Sequence, residues 1–439
     1  MGIFKEDIKK RVGNGVMCLD YSTTDLKNWC STIETMAKNS GLDFYPQEFE
    51  IVSYKDMIGY EAYLGMPSRY PHWSFGKSYD RAESLYRYNL TGLPYEMVIN
   101  SDPCLAYLMK DNTLLLQILT MAHVYGHNDF FKNNRLFKDG TNASYTIEMF
   151  KNNANMIREY LNDPSIGYTG VEKILNAAHA IRYQTRRAIG LKNSEEEPCD
   201  DLILFIIKHG NLEEWQKNVL NVVRKETAYF IPQIETKIMN EGWASYWHYK
   251  ILHKLDLPDS LFIEFIKRHN DVITPAMGSI NPYHLGFKMF EDLERRYGTE
   301  KIFEVRKLER DESFIRRYLT KDICYRLNLF EYMKDGDEYI VKDIADDTGW
   351  LEIRNALCNS CGMGTIPNIE VKEISSKDNT LILNQIYDGR ELNSKYMEAT
   401  LKYIYDLWNG PVQLNTKISK KNTGVKCDED KKISYTSLE

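Results

Sequence analysis

Two histidines, His123 and His127, stand four residues apart inside the apolar run Leu114–Phe131. A glutamate, Glu241, lies in a second segment, Asn240-Glu241-Gly242-Trp243-Ala244-Ser245-Tyr246-Trp247-His248. On a helix, positions i and i+4 share a face, so both imidazoles can address one atom. A carboxylate from a second helix completes a two-histidine, one-carboxylate set that holds zinc and leaves a coordination position open. Zinc is the first expectation. Iron(II) takes the same donors and ranks below it, because the helical His-x-x-x-His pair is commoner for zinc.

Burial sharpens this reading. Leu114, Leu115, Leu116, Ile118, Leu119, Met121, Ala122 and Val124 make the first helix apolar on nearly every side. Imidazoles buried there need hydrogen-bond partners or a metal; a pair of satisfied core histidines is the alternative. On the second helix, at about 100° per residue, Glu241, Ser245 and His248 fall on one side. Each helix carries a glycine beside its proposed ligands, Gly126 and Gly242. An interior glycine costs ~1 kcal/mol relative to alanine, so each marks a close approach of backbones. Glu241 has a plainer alternative as a partner for arginine or lysine. Asn134, seven residues beyond His127, and His179 and His72 are further polar residues that could serve the pocket; for His72, His179 and His248 a structural role is the alternative.

The elements that must position these residues read as α+β, mainly α-helical. Asp25–Ser40 carries Trp29, Ile33, Met36 and Ala37 at helical spacing. Glu48–Tyr54 and Leu93–Asn100 read as short strands, the second just ahead of the histidine helix. Gly65–Lys77 reads as a structured loop. Helical patterns then run through Leu105–Lys110, Leu114–Phe131, Thr146–Asn162, Gly170–Arg187, Asp200–His209, Leu212–Phe230, Ile234–Leu255, Asp259–Asn270, Pro282–Tyr297 and Ser313–Tyr318. Residues 191–201 read as an exposed loop. Near residue 326 the period shifts from 3.6 toward 2. Leu327–Met333 and Glu338–Lys342 form a hairpin across Asp335-Gly336. A helix at Thr348–Leu357, strands at Ile366–Ile374 and Thr380–Ile386, an amphipathic helix at Ser394–Trp408 ended by Gly410, and a last strand at Val412–Leu414 complete a small α/β domain. The expected division is therefore 1–325 mainly helical with the metal site, 326–416 small α/β, and 417–439 a disordered polar tail.

Bulk properties exclude several classes. The chain has 439 residues and a net charge of −7, long enough for more than one domain. Without a basic face it does not read as a nucleic-acid binder. No stretch of roughly 20 apolar residues is present, so no spanning helix is expected. Met1–Asp7 mixes charges and lacks an apolar signal core, so the expected compartment is the cytoplasm. The cysteines are scattered, with one CxxC, Cys358-Asn359-Ser360-Cys361. A single pair reads as reduced thiols rather than a zinc site.

Several segments resemble the SpoVR family, stage V sporulation protein R. They are Gly41–Pro46, His72–Lys77, Glu96–Pro103, Ala122–Asn134, Thr236–His248 and Asn281–Gly286, with Ile366–Ile369 and Asp406–Trp408 near the C-terminus. The resemblance spans roughly 25–416. It implies a role in forming the endospore cortex, although members also occur in bacteria that do not sporulate. A looser resemblance is to zincin metallopeptidases of the gluzincin type, in which HExxH supplies two zinc ligands and the general base and a later EGWAxY-like helix the third ligand. Glu241-Gly242-Trp243-Ala244-Ser245-Tyr246 is similar to that helix, and Leu93–Asn100 to the zincin edge strand. The departure is at the base position, which is Val124. Valine accepts no proton. Two functions of different class follow. One is a metal-dependent hydrolase of the cell-envelope pathway, with His123, His127 and Glu241 on the metal and His248 as the first candidate for proton transfer. The other is a non-catalytic assembly or regulatory protein on a degenerate zincin scaffold, docking to an unidentified protein or envelope component.

Overall fold

The computed structural model describes residues 21–87, 96–185, 199–275, 279–335, 338–343 and 346–438. The N-terminal seven residues, Cys18, Gly336 of the expected hairpin turn, residues 93–95 of the expected edge strand and residues 191–198 of the expected loop lie outside these. The chain is α+β and mainly helical, as the periodicity predicts. Its strands are β1 (Gln47–Val52), β2 (Glu96–Ile99), β3 (Cys104–Met109), β4 (Glu331–Asp335), β5 (Glu338–Asp343), β6 (Asn368–Ile374), β7 (Leu381–Ile386), β8 (Val412–Ile418), β9 (Lys421–Cys427) and β10 (Ile433–Ser437).

Two compact units form, neither continuous in sequence. One takes the chain up to Arg69, then Trp73–Met149 and Pro232–Gly362; the other takes Tyr70–His72, Phe150–Ile231 and Met363–Glu439. The expected boundaries after 325 and 416 do not coincide with this division. The change of period near 326 is real but marks only the β4–β5 hairpin of the first unit. The helices between 150 and 231 carry the same amphipathic texture as their neighbours. Periodicity tells which face of a helix is buried, not what it is buried against.

In the first unit a small sheet of order β1-β3-β2 lies beside the helices. Strands β1 and β3 are parallel, and β2 runs antiparallel to β3 at the edge. The helix expected at Leu105–Lys110 is instead β3. Its run Leu105-Ala106-Tyr107-Leu108-Met109 is continuous because the strand is central, and such a short apolar run carries no period to separate strand from helix. Thr113 then caps the histidine helix, Leu114–Asn133, accepting from the Leu116 N–H. This helix is buried on every side from Leu115 to Phe131.

The histidine helix crosses the glutamate helix, Lys237–Leu252, which crosses a third, Pro282–Tyr297. The glycines mark two different crossings. A Cβ at Gly126 would lie 2.7 Å from the Ala244 Cα, and one at Gly242 would lie 2.4 Å from the Cα and carbonyl carbon of Gly286. Buried carboxylates lock the arrangement. Asp129 accepts from the Asp43 N–H and the Trp243 indole, each at 2.8 Å, with Arg306 beside it. Asp311 accepts from the Ile238 and Met239 N–H groups at the start of the glutamate helix, both at 2.8 Å. Burial pushes its pKa up to about 8 despite those two bonds.

The second unit holds a sheet of order β10-β9-β8-β7-β6, antiparallel except between β7 and β8. The parallel pair is joined through the helix Ser394–Trp408, which packs against the helix Gly167–Ile181. The segment 417–439 is not a disordered tail. It supplies the end of β8, all of β9 and β10, and buries Val425 and Cys427 completely. The β8–β9 turn is made by Ser419 and Lys420, both at positive φ. That turn geometry usually announces itself by Asn-Gly or Asp-Gly; here Ser-Lys does the work and no turn signal is visible.

Candidate metal centre

The first unit brings His123, His127 and Glu241 together. The Glu241 Oε2 lies 3.5 Å from the His127 Nε2 and 3.8 Å from the His123 Nε2. The two rings stand edge to face, centroids 4.6 Å apart. Both histidines are buried, at 3% and 6% exposure, while the Glu241 side chain keeps 19%, so the cluster opens narrowly on the carboxylate side.

Each imidazole is held from behind. The His127 Nδ1 is 2.9 Å from the Asn240 Oδ1. An amide oxygen only accepts, so the neutral ring carries its proton on Nδ1 and presents a bare Nε2. Burial, and then the nearby His123, lower the His127 pKa to about 4, so the ring is neutral at neutral pH. The His123 Nδ1 is 2.9 Å from the His248 Nδ1, and the His248 Nε2 is 2.8 Å from the Nδ1 of His269. Burial drives both of these further histidines to low pKa, His269 to about 4. His248 therefore sits on the Nδ1 side of His123, away from the Nε2 that faces Glu241.

Two residues that the sequence does not assign to the site complete the pocket. Glu96, on the edge strand β2, places Oε1 3.9 Å from the His123 Nε2. One ligand atom each from Glu96, His123 and His127 lie within 4.8 Å of one another. Tyr283, on the helix Pro282–Tyr297, stacks on His123 at 6.1 Å and faces the Glu241 carboxylate. Burial raises the pKa of Glu96. Burial also pushes Glu241 upward, but His123, His127 and Tyr283 outweigh it and hold the pKa below the usual range. A signal for Glu96 existed: it is the one carboxylate in the segment read as a strand at Leu93–Asn100. Nothing in local pattern pointed to Tyr283 or His269.

The donors fit a cation. The His123 Nε2 and the Glu241 Oε2 are buried without a hydrogen-bond partner. Leaving such a group unsatisfied costs ~1–3 kcal/mol. At 3.8 Å these two atoms are too far apart to satisfy one another by a hydrogen bond; a cation between them satisfies both. Zinc bonds of 2.0–2.1 Å in a tetrahedron put ligand atoms roughly 3.3 Å apart, close to the 3.5 and 3.8 Å found here. The remaining polar candidates lie elsewhere. Asn134 accepts from the Leu136 N–H and donates to the carbonyls of Arg306 and Glu309. His72 and His179 belong to the second unit, with ring centroids 4.3 Å apart and the Tyr70 hydroxyl 2.7 Å from the His179 Nε2.

Comparison with known proteins follows the same segments. The family described as "SpoVR like protein" matches residues 20–195 and 186–366, and "SpoVR-like C-terminal domain" matches 367–419. The "Uncharacterized protein YcgB" of Escherichia coli (strain K12) is 33% identical over 474 residues, covering 90% of this chain and 92% of that protein. No solved structure matches the chain. Among the described residues, no helix is long and apolar enough to cross a membrane.

Proposed function

The chain belongs to the SpoVR family, and we propose that it is a metal-dependent hydrolase with a divergent zincin-like site. The observation that carries this is the convergence of His123, His127 and Glu241 with two buried, unpartnered donor atoms facing each other. Zinc is the ion the donor set favours, with iron(II) second. Bound there, the ion would supply Lewis acidity to a water or a substrate oxygen. The chain's own residues do the rest. Asn240 holds His127 in the tautomer that offers Nε2. Tyr283 faces the carboxylate of Glu241 and orients it.

Val124 is fully buried and offers no proton acceptor. We assign that task to Glu96, whose carboxylate stands across the pocket from the helix, rather than to His248, which is engaged behind His123. In this reading the base that HExxH places on the helix comes from the edge strand. The antiparallel edge position of β2 supports the zincin comparison. The family name supports a role in sporulation and, more narrowly, in the cortex. The substrate would then be a cell-envelope component. A second reading, a non-catalytic assembly or regulatory protein on a degenerate scaffold, is favoured by Val124 alone.

Metal analysis of the freshly purified protein, followed by incubation with peptidoglycan and mass spectrometry of the products, tests both readings. Near-stoichiometric zinc in the wild type, lost in His123→Ala, supports the site. Glu96→Gln that keeps zinc and abolishes product supports the hydrolase and the assigned role. Zinc lost with Glu96→Gln makes Glu96 a fourth ligand, and a closed structural site then favours the second reading. A wild type without metal overturns the proposal.

A further inference from the structure

We infer that His123, His248 and His269 form a hydrogen-bonded imidazole chain whose direction reverses when the pocket takes up a metal ion, so that His248 and His269 are positioning residues for the site. The inference rests on the metal-site reading above. Its own observations are two short nitrogen–nitrogen contacts in series, 2.9 Å from His123 to His248 and 2.8 Å from His248 to His269.

Each contact admits one proton. His248 is fully buried and His269 nearly so, each with a ring nitrogen in contact with a neighbouring imidazole; a neutral ring in such a place carries one proton on one of its two nitrogens. The protonation of one end therefore dictates the whole chain. Without a cation, the His123 Nε2 faces the carboxylates of Glu241 and Glu96 at 3.8 and 3.9 Å. That field favours a proton on Nε2 and leaves Nδ1 bare. His123 then accepts from the Nδ1–H of His248, and the Nε2 of His248 accepts from the Nδ1–H of His269. With a cation on the His123 Nε2, that nitrogen must give up its proton. His123 now carries Nδ1–H and donates to the Nδ1 of His248. His248 carries Nε2–H and donates to the Nδ1 of His269, and His269 carries Nε2–H.

The protons balance. One proton leaves the pocket from the His123 Nε2. One proton passes from His248 to His123 and one from His269 to His248. One proton enters at the His269 Nε2 from solvent, which also takes up the proton released at the pocket. The chain gains and loses no net proton, and only its tautomers change. The surroundings suit such a chain. His248 is fully buried and His269 is 3% exposed. The His269 ring is sheathed by Tyr249 at 4.7 Å, Phe287 at 5.0 Å and Phe265 at 6.1 Å. These apolar walls keep water from short-circuiting either contact. A metal-bound imidazole whose other nitrogen donates to a fixed acceptor is held in orientation and made more basic, and here the acceptor is itself set by a second ring.

The wild-type protein, labelled with 15N-histidine, tests this by long-range proton–nitrogen NMR during zinc titration. The expected result is that His269, which touches no ligand position, changes from the Nδ1–H to the Nε2–H tautomer as zinc binds; His269→Gln assigns its signals. Zinc binding with His269 unchanged overturns the chain and leaves the metal site standing. No zinc binding removes the site and the chain together. In competition with a chromophoric chelator, His248→Phe, which fills the volume without an acceptor, should weaken zinc binding roughly 10- to 100-fold. His248→Asn, whose Oδ1 can still accept from His123, should stay within a few-fold of wild type. Equal affinities for the Phe and wild-type proteins would show that His248 only packs.

Discussion

The crossing of the glutamate helix with Pro282–Tyr297 yields a quantitative expectation for Gly242→Ala. In an open helix this substitution stabilises by ~1 kcal/mol. Here the new Cβ would meet two Gly286 backbone atoms at 2.4 Å and the Phe287 nitrogen at 2.8 Å, where ordinary contact begins at 3.4 Å. None of these is the end of a flexible side chain, so the helices must part by about 1 Å. Overpacking of a tight core costs ~1–3 kcal/mol. Three simultaneous backbone contacts put this case at the upper end, and the propensity gain offsets about a third of it. The net expectation is a loss of roughly 2 kcal/mol. Gly59→Ala is the matched control: it lies in the helix Tyr54–Ala62 with nothing within 4 Å of the added Cβ, so it should stabilise by ~0.5–1 kcal/mol. Urea midpoints of the two variants should move in opposite directions. Because Gly242 adjoins Glu241, the same parting of helices should also weaken zinc binding. A Gly242→Ala protein as stable as wild type would refute the close crossing, and with it the packing that holds Glu241 in place.

Other expectations follow from particular groups. Zinc at 100 times its dissociation constant should stabilise the wild type by ~2.7 kcal/mol, read as a shift in thermal midpoint, and should leave His127→Ala unmoved. For His269 the folded pKa, about 4, is depressed below the ordinary 6.5 by burial. The unfolded chain therefore takes up the proton first, and stability is full above pH 6.5 and falls as pH drops toward 4. This group contributes a loss of order a few kcal/mol, and His269→Gln should flatten that part of a stability–pH curve. Removal of residues 419–439 deletes β9 and β10 and bares the β8 edge, so the shortened chain should be poorly soluble, and limited proteolysis of the intact protein should spare that segment.

Much of the site was legible because its signal is local. His123 and His127 share one helix, and Gly126 and Gly242 mark close crossings. What local spacing cannot state is which surface each glycine faces. Gly126 lies on Ala244 and Gly242 on Gly286, so the two glycines serve two crossings rather than one. The same limit hid β3, whose central position erases the alternation that marks a strand. It also hid β9 and β10, which lie at one margin of their sheet. Of the β10 residues 433–437, four are exposed and Ile433 is half-buried. Their polar composition resembles that of a chain with no structure.

The most consequential omission, Glu96, has a different cause. In the HExxH pattern the helix carries its own base one residue after the first histidine, which ties ligand and base to one rigid element. Here Val124 occupies that position and is buried among the core residues. Any carboxylate serving the pocket must then come from another element, at a sequence distance that no motif records. The strand β2 meets the requirement because it lies at the sheet edge nearest the histidine helix, where a side chain can reach the Nε2 of His123. If Glu96 is the acceptor, as proposed, its place on a strand and not on the helix has a physical consequence. The proposed ligands His123 and His127 are fixed by helix packing, whereas Glu96 sits on a strand that, among the described residues, pairs only with β3. In the proposed reading, the acceptor on that strand can therefore shift without moving the two histidines of the helix.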